Sequence, residues 1–329
     1  MINYIWYLTF QNYLLKDLFA INNKLKIQVT IIICTYNRGY LIRETIPKVF
    51  QQSVSLDRYK VIIVNNNSTD NTLVILNDFI KLYSNLSIIT ERKQGLGYSK
   101  NTGMNAATTE WIIYLDDDAK VPNDFVKKAL ININNSQYDC FGGVYLPWYK
   151  YGRPNWFLDK YASNAGKLSE FSTLKKDYLA GGIMAIKKSV LNNFNGFPTN
   201  LGMSGDQIAY GEETSLQIRI RNAGIKIGYD PNWIMYHLVN RYKLSIWWFI
   251  KSGFASGRGA WLTYGERVSF RKILIYGFRS IKLFFMNILK YTPKLLEKDY
   301  KWQNWSIDIL TPTIIIFGRI YGGMKHIIK

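Results

Sequence analysis

The chain has 329 residues, 48% hydrophobic and 20% charged, which excludes disorder and allows one large or two small domains with a sizeable core. A formal net charge of +19 calls for an anionic partner: nucleic acid, anionic lipid or an acidic substrate. The excess is uneven, since Tyr236 to Lys329 holds 16 lysines and arginines against 4 aspartates and glutamates.

Met1 to Phe10 has no basic region, and Gln11, Asn12, Lys16 and Asp17 follow closely, so no secretory signal is expected and residues 1–26 read as a helical extension. Nowhere does the chain reach the roughly eighteen uninterrupted apolar residues that a spanning helix needs. Val29-Thr30-Ile31-Ile32-Ile33-Cys34 is a β-branched run ending at the turn-like Thr35-Tyr36-Asn37-Arg38-Gly39. A helical pattern follows through Leu41, Ile42, Ile46, Val49 and Phe50. Val61 to Val64 is the next strand, ending in Asn65-Asn66-Asn67-Ser68-Thr69-Asp70, before a second helical pattern through Leu73, Leu76, Phe79, Ile80 and Leu82. Ser87 to Thr90 and Trp111 to Leu115 add two more strands. Apolar strands alternating with helices predict an α/β fold whose parallel sheet is covered on both faces. Ligands of such sheets lie beyond the carboxyl ends of the strands, where these polar clusters fall. Ile131 to Ser136 reads as a frayed helix end and loop. Cys34 and Cys140 lie in apolar segments without metal-ligand spacing, as core thiols of a reducing compartment do.

The most informative fragment is Leu115-Asp116-Asp117-Asp118, at the end of a buried strand where three carboxylates repel one another. In extended chain Asp116 and Asp118 point the same way, offering two hard oxygen donors to one divalent cation such as Mg²⁺ or Mn²⁺. Glu212-Glu213 opens a helical segment behind Gly211. It could serve as a base, or simply as acid favoured in a first helical turn.

Taken together, Cys34-Thr35-Tyr36-Asn37-Arg38, Val64 to Asp70, Gly95 to Gly103, Leu115 to Asp118, Gly181 to Ala185, Gly211 to Thr214, Tyr229-Asp230-Pro231 and Tyr236-His237 resemble a family-two glycosyltransferase. The resemblance covers about residues 27 to 240. It implies a GT-A fold (Rossmann-like, mostly parallel sheet), a nucleotide-diphospho-sugar donor, and metal-dependent transfer of a hexosyl group with inversion. By resemblance Asp116 and Asp118 hold Mn²⁺ or Mg²⁺, and His237 completes the shell, its imidazole suiting Mn²⁺ better. Asp117 goes either to the ribose or to the metal. Where the family usually has Glu-Asp, with the second acid as base, this chain has Glu212-Glu213; the extra methylene leaves the base between the two, with Glu213 favoured and Glu212 then gripping acceptor hydroxyls. Thr35, Tyr36, Asn37 and Arg38 belong to the nucleotide-sugar site. Asn65 or Asn66 stands where many members have an aspartate that accepts the uracil N3–H. This is a departure from the family, but an Asn carbonyl oxygen still accepts, so uracil or thymine recognition survives in weaker form and a UDP-sugar stays favoured. Lys100 and Asn101 stand where a cation meets phosphate. Trp148 and Trp156, in an aromatic stretch between the donor and acceptor motifs, are candidate acceptor platforms.

The catalytic domain is predicted over residues 27–239 and a basic, aromatic, helical tail over residues 240–329. Leu274, Phe278, Ile281, Phe285 and Ile288 recur at helical spacing, with Arg271, Lys272, Arg279, Lys282 and Lys290 mostly opposite. With Trp247-Trp248-Phe249 and Lys251 as a headgroup-level anchor, this reads as an anionic membrane surface rather than nucleic acid. The expected setting is cytoplasmic and peripheral, on the inner face of the plasma membrane beside a glycan or lipid-linked acceptor. Three readings compete. A sugar-1-phosphate nucleotidyltransferase would need a glycine-rich loop in place of Thr35 to Arg38. A nucleic-acid binder leaves the clustered acids unexplained. A catalytically inactive relative would keep the sugar and nucleotide sites alone.

Overall fold

The structure, a computed structural model, describes residues 28–135 and 137–328; the expected N-terminal extension lies outside the described residues. In chain order the first half runs β1 (Val29–Thr35), α1 (Gly39–Phe50), β2 (Tyr59–Asn65), α2 (Thr72–Ile80), β3 (Leu86–Thr90), α3 (Leu96–Ala106) and β4 (Trp111–Asp116). The second runs β5 (Ala119–Lys120), α4 (Phe125–Asn135), β6 (Cys140–Trp148), β7 (Ser172–Thr173), β8 (Ile183–Lys187), α5 (Lys188–Asn193), α6 (Glu212–Asn222) and β9 (Ile227–Leu238). The sheet order is β3-β2-β1-β4-β8-β6-β9-β5, with β7 on β9.

Side chains alternate along each strand, so β1 feeds two cores. Ile31 and Ile33 pack with Ile42, Ile46, Leu76 and Phe125 on one face, while Ile32 packs with Met104, Leu191, Leu216 and Ile220 on the other. The pairings among β1 to β4 are parallel, as the strand–helix alternation predicts. Beyond them the sheet is mixed: β8 runs antiparallel to both β4 and β6. Parallel neighbours need a crossover, usually helical. Residues 149–182 supply loop, one short helical turn and the two-residue β7 but no crossover helix, so β8 enters in the opposite sense. The helix expected to fray at Ile131 continues as α4 to Asn135, because Asn132 is buried and its Nδ2 donates to Asp230 Oδ2 at 2.6 Å.

The tail folds into α7 (Ile246–Thr263), α8 (Phe270–Tyr291) and α9 (Trp302–Ile328). The backbones of α7 and α9 touch: a Cβ on Gly257 would lie 1.8 Å from the Ile315 carbonyl oxygen. Among the described residues, Trp302–Ile327 is the one helix long and apolar enough to cross a membrane, with 33% of its apolar window buried. It passes by mean hydropathy, although Asp308 and Arg319 interrupt it. Arg319 pairs with Glu266 and lies 4.5 Å from the centre of the Tyr276 ring, so its charge is held inside the helical bundle.

On α8 the buried positions are Ile273, Ser280 and Asn287, seven residues apart and turned toward the bundle. Phe270, Leu274, Phe278, Ile281, Phe285 and Leu289 form a separate exposed stripe at spacings of three and four. Ile288, expected on the same apolar stripe, is half-buried instead. Lys272, Arg279, Lys282 and Lys290 flank that stripe.

Candidate active site

The acids, the histidine and the glycines meet at the carboxyl ends of β1, β4 and β9 because of strand register. Cys34 of β1 stands opposite Asp116 at the end of β4. After a tight turn, β5 pairs with β9 so that Ala119 faces His237, and the Leu238 N–H donates to the Asp118 carbonyl at 3.1 Å. This puts His237 Nε2 3.1 Å from Asp118 Oδ1 and 3.6 Å from Asp116 Oδ2. The ligand atoms of these three residues all lie within 4.8 Å of one another. Two carboxylates and one imidazole are a donor set that fits Mn²⁺ or Mg²⁺, the nitrogen favouring Mn²⁺. Gly182 is required by packing: a Cβ there would lie 1.9 Å from Asp116 Oδ2.

Two cavities meet at this point. The first, about 360 Å³, is lined by Thr35, Tyr36, Arg38, Asn66, Lys100 and Glu212, among others. The second, about 350 Å³, is lined by the aromatics Tyr145, Phe157, Tyr161, Trp248 and Phe249. Asp116, Gly181, Gly182, Glu213 and His237 border both. A third cavity, about 540 Å³, carries Asn37, Trp247 and Lys251 and shares Tyr36, Arg38 and Tyr242 with the first. The buried Thr35 hydroxyl lies on the first cavity, where it helps to hold Asp117 ionised.

Burial opposes ionisation throughout the acidic cluster, and partners decide each outcome. Asp118 is held well below the usual carboxylate range by His237, whose own pKa Asp118 raises against the effect of burial. Burial pushes Asp117 up to about 7 against the pull of Arg38, whose Nε is 3.8 Å away. On α6, burial and the neighbouring Glu212 push Glu213 up to about 8. Glu212 stays below its usual range because Lys100 Nζ lies 3.0 Å from its Oε1. Lys100 is itself only 4% exposed. Burial pushes the Cys34 thiol, on the edge of the first cavity, up to about 12.

Several expected roles change in the folded chain. Glu212 lines the first cavity and not the second, and its charge is taken by Lys100, so it is not free to grip an acceptor hydroxyl. Lys100 is likewise committed, leaving its expected phosphate contact without an unpaired cation. Asn66 donates both amide protons, to the Glu91 and Lys93 carbonyls, and accepts from the Gly95 N–H, so only one Oδ1 lone pair is left for a ligand. Asn65 lies outside the cavities, its Oδ1 accepting from the Ser68 N–H. Asn101 clamps Phe197 through two hydrogen bonds of 2.8 Å and lines neither cavity. Asn37, with φ of 52°, accepts from the Thr69 N–H and shapes the loop after β2.

The expected acceptor aromatics also move. Trp148 supports the acidic turn, its Nε1 donating to the Asp118 carbonyl at 3.2 Å beneath Lys120. Trp156 lines neither cavity, but its carbonyl accepts from Asn304 Nδ2 at 2.6 Å. That same amide reaches Tyr161 Oη at 3.2 Å, so α9 buttresses the aromatic wall of the second cavity. Trp248 and Phe249 turn inward to that cavity, and only Trp247, 72% exposed, has the orientation expected of a surface anchor.

Tyr242, Lys243, Trp248 and Phe249, which the sequence places in the tail alone, line the two cavities. The available signal was closeness: Lys243 follows His237 by only six positions.

Comparison with known proteins agrees with this geometry. The model of glycosyl transferase family 2 matches residues 30–194. The chain is 22% identical to the glucosyl-dolichyl phosphate glucuronosyltransferase of Haloferax volcanii, over 73% of this chain and 77% of that protein. Among solved structures, the mannosyltransferase PcManGT of Pyrobaculum calidifontis, in complex with GDP-Man and Mn²⁺, superposes with a TM-score of 0.54 at 19% identity. That match covers 71% of this chain and 63% of the mannosyltransferase. TarS 1-349 of S. aureus with UDP-GlcNAc gives a TM-score of 0.53 at 18% identity, covering 65% and 59% of the two chains. Both share the GT-A fold with this protein. The family match spans half of the chain and includes the strands that carry the acidic turn, and the chain belongs to glycosyl transferase family 2.

Proposed function

We propose that this protein transfers a hexosyl group, with inversion, from a nucleotide-diphospho-sugar to a hydroxyl of a glycan or lipid-linked glycan. A UDP-sugar is the first candidate donor, through the remaining Oδ1 lone pair of Asn66. The observation that carries the proposal is the meeting of two cavities at Asp116, His237 and Glu213. The first holds the donor and the second the acceptor, so the acceptor oxygen approaches the anomeric carbon from the side opposite the leaving diphosphate.

Asp116, Asp118 and His237 would hold the cation, which when bound supplies Lewis-acid charge to the diphosphate. Glu213 takes the acceptor proton, and a pKa raised toward neutrality suits a general base. Glu212 fixes Lys100 and, by its charge, raises the basicity of Glu213. The aromatic wall of Tyr145, Phe157, Tyr161, Trp248 and Phe249 packs against the apolar faces of an acceptor sugar.

The tail is proposed to lie on the anionic inner face of the plasma membrane, with the exposed α8 stripe in the interface and its flanking cations on headgroups. This would place the aromatic cavity beside a lipid-linked acceptor; the H. volcanii relative is named for a dolichyl phosphate substrate. Residues 27–239 and 240–329 then form one working unit, because the acceptor cavity takes walls from both.

A thermal-shift screen of nucleotide sugars with and without Mn²⁺ tests the donor. A ligand bound only by the folded state stabilises it by about 2.7 kcal/mol at a hundredfold excess over Kd. Stabilisation by one nucleotide sugar that depends on Mn²⁺ is the expected result, and equal response with chelator present would refute the metal site.

A further inference from the structure

Five carboxylates and three Lys/Arg side chains, Arg38, Lys100 and Lys243, line the donor cavity. A nucleoside diphosphate brings more negative charge, so an uncommitted cation matters there. Two of the three are committed. Arg38 faces Asp117 at 3.8 Å and donates to the Tyr40 hydroxyl at 2.9 Å. Lys100 is buried on Glu212 at 3.0 Å.

Lys243 differs. It has no carboxylate within ion-pair distance among the described residues, and its ammonium stands 6.0 Å from the centre of the Trp248 ring. Its side chain borders both cavities, where donor and acceptor must meet. It belongs to the short turn Arg241–Lys243 that follows β9, and its N–H donates to the Asn240 carbonyl at 2.9 Å. The turn starts three residues after Leu238, where the strand that carries His237 ends.

We infer that Lys243, supplied by the tail, is the cation that binds the β-phosphate of the donor and stabilises the leaving diphosphate. This rests on the donor reading above. In the transfer, the bond from the anomeric carbon to the β-phosphate oxygen breaks and its electron pair stays on that oxygen, beside the Lys243 ammonium. The acceptor oxygen forms the new bond to the anomeric carbon as its proton passes to Glu213. Lys100, which by sequence looks like the phosphate cation, instead keeps Glu212 ionised.

The test compares UDP with UMP, and GDP with GMP, by calorimetric titration of full-length wild type, Lys243→Ala and Lys243→Arg in Mn²⁺. Far-UV circular dichroism confirms folding; the half-exposed turn tolerates either change. In Lys243→Ala the diphosphate should bind about 10-fold more weakly while the monophosphate changes less than about twofold, as loss of one charge-assisted contact predicts. Lys243→Arg should restore most of the difference. Equal weakening of both nucleotides, or an unchanged preference for the diphosphate, overturns the assignment. Wild type that binds neither diphosphate refutes the donor reading itself, and this role with it. Wild type that binds both while the variant keeps its preference refutes only Lys243.

Discussion

Replacing Glu213 by Gln should raise stability in alkaline solution while removing most of the activity. Glu213 packs against Glu212, and burial with that neighbour raises its pKa from 4.5 to about 8. A carboxyl whose pKa rises on folding holds its proton more tightly in the folded state. Its contribution is therefore fully favourable below about pH 4.5 and is lost progressively as pH rises toward about 8. At about 1.4 kcal/mol per pKa unit the shift has an upper bound near 5 kcal/mol, and the opening of this side chain onto two cavities reduces it to about 1–2 kcal/mol. Urea unfolding without metal should show Glu213→Gln about as stable as wild type at pH 5 and about 1–2 kcal/mol more stable at pH 8.5. Transfer should fall by a factor of about 10²–10⁴ with donor binding retained. Glu212→Gln should behave oppositely, since it strands Lys100 in the interior and costs about 3–5 kcal/mol. A stability difference between Glu213→Gln and wild type that does not depend on pH would refute the electrostatic argument. Near-normal transfer in that variant would remove Glu213 as the base.

Three further outcomes are expected. Asp118→Ala should keep its fold at the cost of the His237–Asp118 contact, but lose the Mn²⁺-dependent part of UDP binding in calorimetry; undiminished binding would refute the metal site. Asn304→Ala leaves the Trp156 carbonyl and Tyr161 hydroxyl without their shared partner, a loss of about 1–3 kcal/mol in unfolding free energy. In that variant acceptor KM should rise with donor affinity unchanged, and an unchanged acceptor KM would separate α9 from the cavity wall. Full-length protein should co-sediment with anionic vesicles more than with neutral ones, and salt at roughly 0.5 M should weaken but not abolish it. Phe278→Asp with Phe285→Asp should remove the salt-resistant part, and absence of wild type from both pellets would refute the membrane reading.

The sequence by itself determined the α/β class, the parallel half of the sheet and the acidic turn. The reason is local: β-branched runs fix strands, and period-two alternation fixes which way Asp116 and Asp118 point. Motif order brought His237 and the Glu212-Glu213 pair into the same reading. Only the tertiary structure decided who partners whom. Lys100 and Glu212 are separated by 112 positions, and no spacing rule reveals that each neutralises the other. Asn66 and Asn101 carry amides that look suited to a ligand, yet unpaired backbone groups nearby take up most of their hydrogen-bonding capacity. The antiparallel entry of β8 depended on the absence of a crossover helix, and the length of α4 on a buried amide finding Asp230. The tail departs furthest from its sequence reading. Its aromatics form one basic, lipid-like surface in sequence, but folding back on β9 divides them by burial. Phe249 and Trp248 turn to the acceptor cavity, and Phe278 and Phe285 are left to solvent. Hydrophobicity along a chain says that a side chain will be covered; which surface covers it is settled by the packing of elements distant in sequence.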